Sequence, residues 1–333
     1  VGSEMCIRDR SEAIAELFAE KGYEVVSVDD EADVYIINTC TVTNFGDKKS
    51  RQLIRKVKRQ NENAIVAVVG CYAQTAPEEL AAVHGVNLVI GTKDKSKIVE
   101  LVEDYQAEQG VQNYVTDIMH ERVFEPLEIK KLANRTRAYL KIQDGCSQFC
   151  SYCIIPYARG PIRSRQPEDV IAEVKRLAEN GFKEVVLTGI HVASYGKDLK
   201  TITLIDIIRQ VHEVEGIERI RFSSIEPNVV TEEFAAAMAE LPKVCDHFHL
   251  SLQSGCDKTL KEMNRKYDTE KYRQAAALLR KYLPDVAITT DIIVGFPGET
   301  EEDYQASRAF AEEIGSVSYT HLRAHETELP LVC

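Results

Sequence analysis

Apolar and polar positions follow two rhythms along most of this chain. Arg137-Ala-Tyr-Leu-Lys-Ile-Gln-Asp144 alternates with a period of two and predicts a strand. In the stretch 166–181 the apolar positions 170, 171, 174, 177 and 178 recur at helical spacing, and Gly181 supplies the stop. The pairing then repeats. Strands are predicted at 184–189, 219–224, 247–253 and 287–295, with helices at 204–214, 231–241, 268–283 and 300–314. Strands alternating with helices predict a parallel sheet with helices on its outside. Five strands do not close an eight-stranded barrel, so the expectation is a partial, open (β/α) barrel over 134–315. Upstream, Gly22-Tyr-Glu-Val-Val26, 32–40 and 64–71 read as strands separated by helices, a small parallel α/β domain over 11–128. The fold class is therefore α/β throughout.

At 333 residues and 44% hydrophobic content, the chain has room for two domains with proper cores. No apolar run approaches membrane-span length and no signal peptide is visible, which points to a cytoplasmic protein. The nine cysteines change the picture most. In that setting they fit metal binding better than disulfides.

Three of them fall within eight residues, Cys146-Ser-Gln-Phe-Cys150-Ser-Tyr-Cys153, with the spacing C-x3-C-x2-C. Three thiolates can hold three corners of a [4Fe–4S] cube and leave one iron open, whereas ferredoxin clusters take four cysteines. A zinc site is the competing reading, but structural zinc wants a second pair of ligands, and the nearest later histidine is His191. The triad follows a strand and precedes a helix, at the strand end where barrel folds place their chemistry. Cys40 and Cys71 each lie just past an upstream apolar strand, where open α/β sheets bind ligands. Buried free cysteines explain each one singly. Two at equivalent strand ends favour a shared metal site. Cys245 and Cys256 match no ligand spacing.

From about residue 134 to 315 the chain resembles the radical S-adenosylmethionine (SAM) superfamily, on the cysteine triad with Tyr152 before its last member. The resemblance implies that Cys146, Cys150 and Cys153 bind a [4Fe–4S] cluster whose open iron is chelated by SAM. It places Tyr152 near the adenine and turns Thr188, Gly189, Ser224, Glu226, Gln253 and Gly295 toward the cofactor. The strings Cys153-Ile-Ile-Pro-Tyr-Ala-Arg-Gly160 and Arg163-Ser-Arg165, with the upstream domain, are similar to the methylthiotransferases. In that family an auxiliary [4Fe–4S] cluster supplies sulfur, and the resemblance assigns Cys40 and Cys71 to it. The third family cysteine falls in register on Glu4, with Cys6 two places away. Residues 1–10 and 316–333 carry none of the family's residues and are read as non-native tails, although 317–322 suits a sixth strand. A fragment so bounded is expected to cleave SAM without methylthiolating tRNA.

Asn38-Thr-Cys-Thr-Val-Thr-Asn44 and Lys48-Lys-Ser-Arg51 look most like the MtaB branch. That branch acts on N6-threonylcarbamoyladenosine 37 of tRNA. Related branches act on isopentenyladenosine 37 or on a ribosomal-protein aspartate. The implied chemistry uses two SAM molecules, one methylating a sulfur and one giving the radical that activates C2. An electron donor such as flavodoxin or ferredoxin and a monomeric state complete the expectation.

Net charge is −12, from 41 Lys and Arg against 53 Asp and Glu, which argues against a generally basic nucleic-acid binder. Charge is local, however. Residues 48–59 hold seven basic side chains, Lys130, Lys131, Arg135 and Arg137 form a second group, and Arg159, Arg163 and Arg165 a third. The first is equally explained as a solvated helix face. All three suit a phosphate backbone at a tRNA anticodon loop. Two other classes stay open. A single-cluster radical SAM enzyme with a structural upstream domain would hold one cluster per chain. A non-catalytic RNA-binding module would show no SAM cleavage.

Overall fold

The computed structural model describes residues 2–40, 44–125, 137–316 and 318–323. Lys130, Lys131 and Arg135 lie outside them. The described residues form two compact units. The first holds those before residue 126 together with Ile154–Pro161, and the second holds 137–153 and those from Ile162 onward.

In the first unit, helix α1 (Gly2–Glu20) leads to strand β1 (Val34–Thr39), helix α2 (Asn44–Gln60) and strand β2 (Ile65–Gly70). Two single-turn helices, α3 (Cys71–Thr75) and α4 (Pro77–Ala81), precede β3 (Leu88–Ile90), α5 (Ile98–Glu103) and the two-residue β4 (Gln112–Asn113). The four strands pair in parallel in the order β1-β2-β3-β4. Both faces of the sheet are covered, which is why Ala64–Val69 reads as a continuous apolar run. Ile54 and Val57 of α2 close one face with Val66 and Val68, while Ile14 and Phe18 of α1 close the other with Ala67 and Val69. Each fully buried aliphatic side chain of this kind contributes about 1.5–3 kcal/mol.

The strand expected at Gly22–Val26 is not formed. Residues 23–27 carry no ladder, and Val25, Val26 and Val28 are exposed. This segment and the edge strand β1 line a groove of about 430 Å³ between them. Alternation of side chains makes a strand only where a neighbour completes its backbone hydrogen bonds. The backbone of residues 2–10 is helical and continuous with 11–20.

The second unit opens with β5 (Arg137–Asp144) and the cysteine loop. The chain then contributes α6 (Ile155–Arg159) to the first unit, where Thr92 Oγ1 donates to the Ala158 carbonyl at 2.8 Å. It resumes with β6 (Arg163–Ser164), α7 (Pro167–Glu179), β7 (Glu184–Gly189), α8 (Leu204–His212) and β8 (Arg219–Phe222). There follow α9 (Glu232–Ala239), β9 (His247–His249), α10 (Asp257–Glu262), α11 (Thr269–Tyr282), β10 (Ala287–Val294), α12 (Glu301–Ile314) and β11 (Ser318–Arg323). Strands β5, β7 and β8 are parallel neighbours, as are β9, β10 and β11. Parallel bridges at Ile220–Val244 and Ile225–Leu250 join the two sets into one curled half-barrel. The sixth strand lies at 318–323, and the antiparallel β6 caps the other edge against β5. Val170, Val174 and Leu177 bury the inner stripe of α7, and capping boxes at Thr203/Asp206 and Thr300/Asp303 start α8 and α12.

The opposite sheet face is polar near the strand starts. Glu184, nearly buried, accepts from Arg219 Nε at 2.8 Å and Arg221 Nε at 2.9 Å, with Arg137 at 3.7 Å. It thereby ties three adjacent strands. Burial pushes this carboxyl up, but the two arginine hydrogen bonds outweigh that and hold it below the ordinary glutamate range. The charged form is thus favoured by folding. The stability it contributes is present above the unfolded carboxyl value and is lost as pH falls through the lower folded value. We expect Glu184→Gln to cost about 1–2 kcal/mol in urea unfolding at pH 7. The half-exposed arginines keep the figure below that of a fully buried pair. The deficit should shrink as the pH is lowered.

Candidate functional site

The rim at the C-terminal ends of the half-barrel strands gathers the polar groups of the second unit. The penultimate residue of β5 is Gln143, fully buried, whose amide donates to the Asp144 and Gly145 carbonyls at 2.6 and 2.7 Å. Gly145 turns the chain outward with φ 72°, and the cysteine loop begins. Phe149 adopts φ 50°, a left-handed conformation uncommon for a bulky residue. Three contacts hold it there. Asn264 Nδ2 donates to the Phe149 carbonyl at 2.7 Å, Ser151 N to Met263 O at 3.1 Å, and Ser151 Oγ to Glu262 O at 2.8 Å. The loop is thus pinned to the C-terminal end of α10. A turn between Cys150 O and Cys153 N at 2.9 Å sets the spacing of the last two thiols.

All three thiols of the loop are partly buried. Burial pushes the Cys146 thiol up, while the backbone N–H of Gln148 pulls the other way. Arg265 Nη1 donates to Cys150 Sγ at 3.2 Å, and the guanidinium lies 4.9 Å from the centre of the Tyr267 ring. Tyr267 hydroxyl in turn donates to the Ser251 and Leu252 carbonyls at 2.8 and 3.0 Å. Among the described residues, no three Cys, His, Asp or Glu side chains converge closely enough to hold one metal ion. A cube is a different demand, since each thiolate takes a different iron. Three soft donors on one braced loop beside a permanent cation fit that demand.

Around the loop stand the other rim positions. Tyr152 hydroxyl donates to Gln253 Oε1 at 3.2 Å and its ring meets Phe296 edge-on at 6.2 Å. Gln253 sits at φ 66° where β9 gives way to isolated bridges, so the strand expected over 247–253 pairs regularly only at 247–249. Thr188 is buried, and Ser224 is exposed. A Cβ on Gly189 would come within 2.9 Å of Gln143 Oε1, so glycine there admits the buried amide. Gly295 (φ 72°) follows β10 with open space around it, its N–H donating to Glu299. Glu226 is 5% exposed and accepts from Gln148 Nε2 at 3.2 Å, with His191 Nε2 also at 3.2 Å. Burial alone would raise its pKa, but His191, Arg265 and Lys197 leave it below the ordinary value.

Arg159, Arg163 and Arg165 depart from the sequence reading, which sets them against a phosphate backbone. The structure buries all three to 5% exposure or less. Arg163 lies 3.8 Å from Asp144, and Arg165 is paired with Glu173. Asp144 stands at the end of β5 and Glu173 on α7, and these carboxylates draw the guanidinium groups of Arg163 and Arg165 inward. On α2 the pattern differs. Arg51 and Lys56 pair with Glu79 and Asp29, whereas Lys48, Arg55 and Arg59 form an exposed stripe one or two turns apart.

In the first unit, Thr39 of β1 is in register with Gly70 of β2, so Cys40 and Cys71 occupy the first positions past the ends of adjacent parallel strands. Neighbouring strands lie about 4.8 Å apart, which puts the two backbones within reach of one cluster. Gly70 takes φ 106°, and a Cβ there would stand 2.5 Å from the Thr39 carbonyl, so the two strand ends meet closely only through glycine. Cys71 is buried among the core residues at 3% exposure, and Cys40 is partly buried. The side chain of Cys6 lies outside the described residues. Arg265, Gln148 and Asn264 carry no signal in the sequence alone, and His191 enters the sequence reading only as the nearest histidine for a zinc site.

A cysteine loop at the rim of a parallel half-barrel defines a radical SAM enzyme, and the comparisons agree. The profile of the radical SAM superfamily matches residues 140–311, and that of uncharacterized protein family UPF0004 matches 1–91. The threonylcarbamoyladenosine tRNA methylthiotransferase MtaB of Bacillus subtilis is 47% identical over 304 residues, which is 91% of this chain and 67% of that protein. The MtaB of Aquifex aeolicus is 43% identical, over 92% of this chain and 74% of that protein. A tRNA-2-methylthio-N(6)-dimethylallyladenosine synthase of Thermoanaerobacter is 40% identical, over 94% and 67%. Among solved structures, the radical SAM methyltransferase TsrM of Kitasatospora setae superposes with TM-score 0.67 at 17% identity, over 94% of this chain and 69% of that one. The cobalamin-dependent SAM radical enzyme OxsB gives 0.61 at 13% identity, over 91% and 49%. These two speak for the fold alone. The chain belongs to the radical SAM superfamily and, within it, to the MtaB-type methylthiotransferases. Its cofactors are SAM and [4Fe–4S] clusters, as in that family. Among the described residues, no helix is long and apolar enough to cross a membrane.

Proposed function

We propose that this chain carries the machinery of an enzyme that adds a methylthio group at C2 of N6-threonylcarbamoyladenosine 37 in tRNA, working in the cytoplasm as a monomer reduced by a flavodoxin or ferredoxin. The observation that carries the reading is the braced cysteine loop at the half-barrel rim, in a chain 47% identical to an MtaB enzyme. When bound, SAM and the clusters supply the radical that activates an aromatic C–H bond and the sulfur that replaces the hydrogen. Cys146, Cys150 and Cys153 hold one cluster, with Arg265 offsetting charge at Cys150. Tyr152, Thr188, Gly189, Ser224, Glu226, Gln253 and Gly295 line the SAM side of the rim. Cys40 and Cys71 serve the auxiliary cluster. The exposed stripe of Lys48, Arg55 and Arg59 supports contact with tRNA phosphates, despite the acidic chain as a whole.

The substrate is tested by the response of SAM cleavage to the base offered. Anticodon stem-loops carrying N6-threonylcarbamoyladenosine, isopentenyladenosine or unmodified adenosine are added to the reconstituted, reduced chain, and 5′-deoxyadenosine is measured by mass spectrometry. The threonylcarbamoyl loop should raise the rate at least about tenfold over the other two, since a site built for a polar substituent rejects analogues without it. An equal response, or a preference for the isopentenyl loop, overturns the assignment.

A further inference from the structure

We infer that His191 is a positioning residue that fixes the Glu226 carboxylate against the cysteine loop for SAM. The inference rests on the proposal that Glu226 faces that cofactor. His191 follows β7 by two residues, and its backbone N–H donates to Gln143 Oε1 at 2.7 Å, which anchors it to the end of β5. Its side chain is 16% exposed. Nδ1 lies 2.6 Å from the buried Ser194 hydroxyl, and Nε2 lies 3.2 Å from Glu226 Oε2. A neutral imidazole protonated on Nε2 satisfies both contacts. The Ser194 hydroxyl donates to Nδ1, and Nε2–H donates to the carboxylate.

Gln148, midway between Cys146 and Cys150, donates to the same Glu226 oxygen at 3.2 Å. A continuous chain, Ser194–His191–Glu226–Gln148, therefore links the ends of β7 and β8 to the loop. A carboxylate this buried needs donors to stay in place. Two donors on one oxygen select a single rotamer before any ligand arrives. SAM carries an ammonium group and ribose hydroxyls, all of them donors, so a pre-set carboxylate lowers the ordering cost of binding it. No part of the established chemistry assigns His191 a role, and no contact to the reacting atoms is claimed for it.

The test reads cofactor affinity rather than turnover. SAM is titrated calorimetrically into the cluster-reconstituted chain, and the electron paramagnetic resonance signal of the reduced cluster is followed as SAM is added. Glutamine at 191 places its amide nitrogen near the Nε2 position, and asparagine places its own near Nδ1. H191N should weaken SAM about tenfold, the loss expected for one hydrogen bond to a charged group, and blunt the spectroscopic response. H191Q should stay within about twofold of the parent. Iron content should be unchanged in both. Parent-like affinity in H191N overturns the inference, as does equal weakening in both variants, which would indicate ring packing alone. Loss of iron in H191N overturns it too. E226Q separates the two levels: if E226Q binds SAM like the parent, the reading of Glu226 fails; if E226Q is weakened and H191N is not, only the role of His191 falls.

Discussion

Cys150→Ala abolishes reductive SAM cleavage: after dithionite, 5′-deoxyadenosine stays at background and the broad iron–sulfur absorbance is lost. The argument runs from the loop upward. Three thiolates are the fewest that hold a cube while leaving an iron open to a cofactor, so removing one leaves two corners unligated. Cys150 is the central member, and its sulfur is the one that Arg265 contacts at 3.2 Å. Alanine removes the ligand and leaves a partly buried guanidinium without its sulfur partner. The loop itself should survive, because Asn264 and Ser151 hold its backbone through other atoms. Circular dichroism and the urea midpoint should therefore remain near the parent values. Cys256→Ala is the control. Its thiol faces Asp303 at 3.4 Å, away from the loop, and iron and cleavage should both persist. Continued 5′-deoxyadenosine production by the Cys150 variant would end the radical SAM reading of this loop.

Much of the second unit was legible in the sequence because its strands and helices obey one rule repeatedly. Ala138, Leu140 and Ile142 are buried on β5, and Val170, Val174 and Leu177 on α7, as the two periods require. Reading failed where structure depends on a neighbour rather than on a period. Gly22–Val26 alternates like a strand but completes no ladder. Helix α10 escaped notice because Asp257-Lys-Thr-Leu-Lys-Glu262 is too short and polar to show a stripe. The last residues of the 247–253 run leave the regular ladder because Gln253 adopts φ 66° on its way to Tyr152.

The candidate site divides along the same line. Three cysteines in eight residues are visible as spacing, since their chemistry lies in the side chains themselves. The burial of Arg163 and Arg165 is not, because their partners Asp144 and Glu173 are identified only once β5 and α7 are in place. A run of basic residues therefore says charge is present, and only folding says which charges remain for a polyanion. The roles of Arg265 and His191 were hidden for a related reason. Each matters through what it touches, a sulfur or a carboxylate far away in sequence.

Cys71→Ala separates the two cluster sites. Cys71 follows Gly70 at the end of β2, and Cys40 follows Thr39 at the end of β1, with Thr39 and Gly70 in register. If both thiolates serve one auxiliary cluster, losing either removes a ligand that this pair must share. Iron in the reconstituted Cys71→Ala chain should fall to about four per chain, the content of a single cube. SAM cleavage should continue, because the cysteine triad is untouched. Any transfer of a methylthio group to tRNA should stop. Cys40→Ala should behave the same way. The competing account treats Cys71 as an ordinary buried thiol. It predicts unchanged iron and only a packing loss of about 1 kcal/mol from a small side chain. Iron analysis and 5′-deoxyadenosine measured on the same preparation distinguish the two. Parent-like iron in both single variants would return Cys40 and Cys71 to the core.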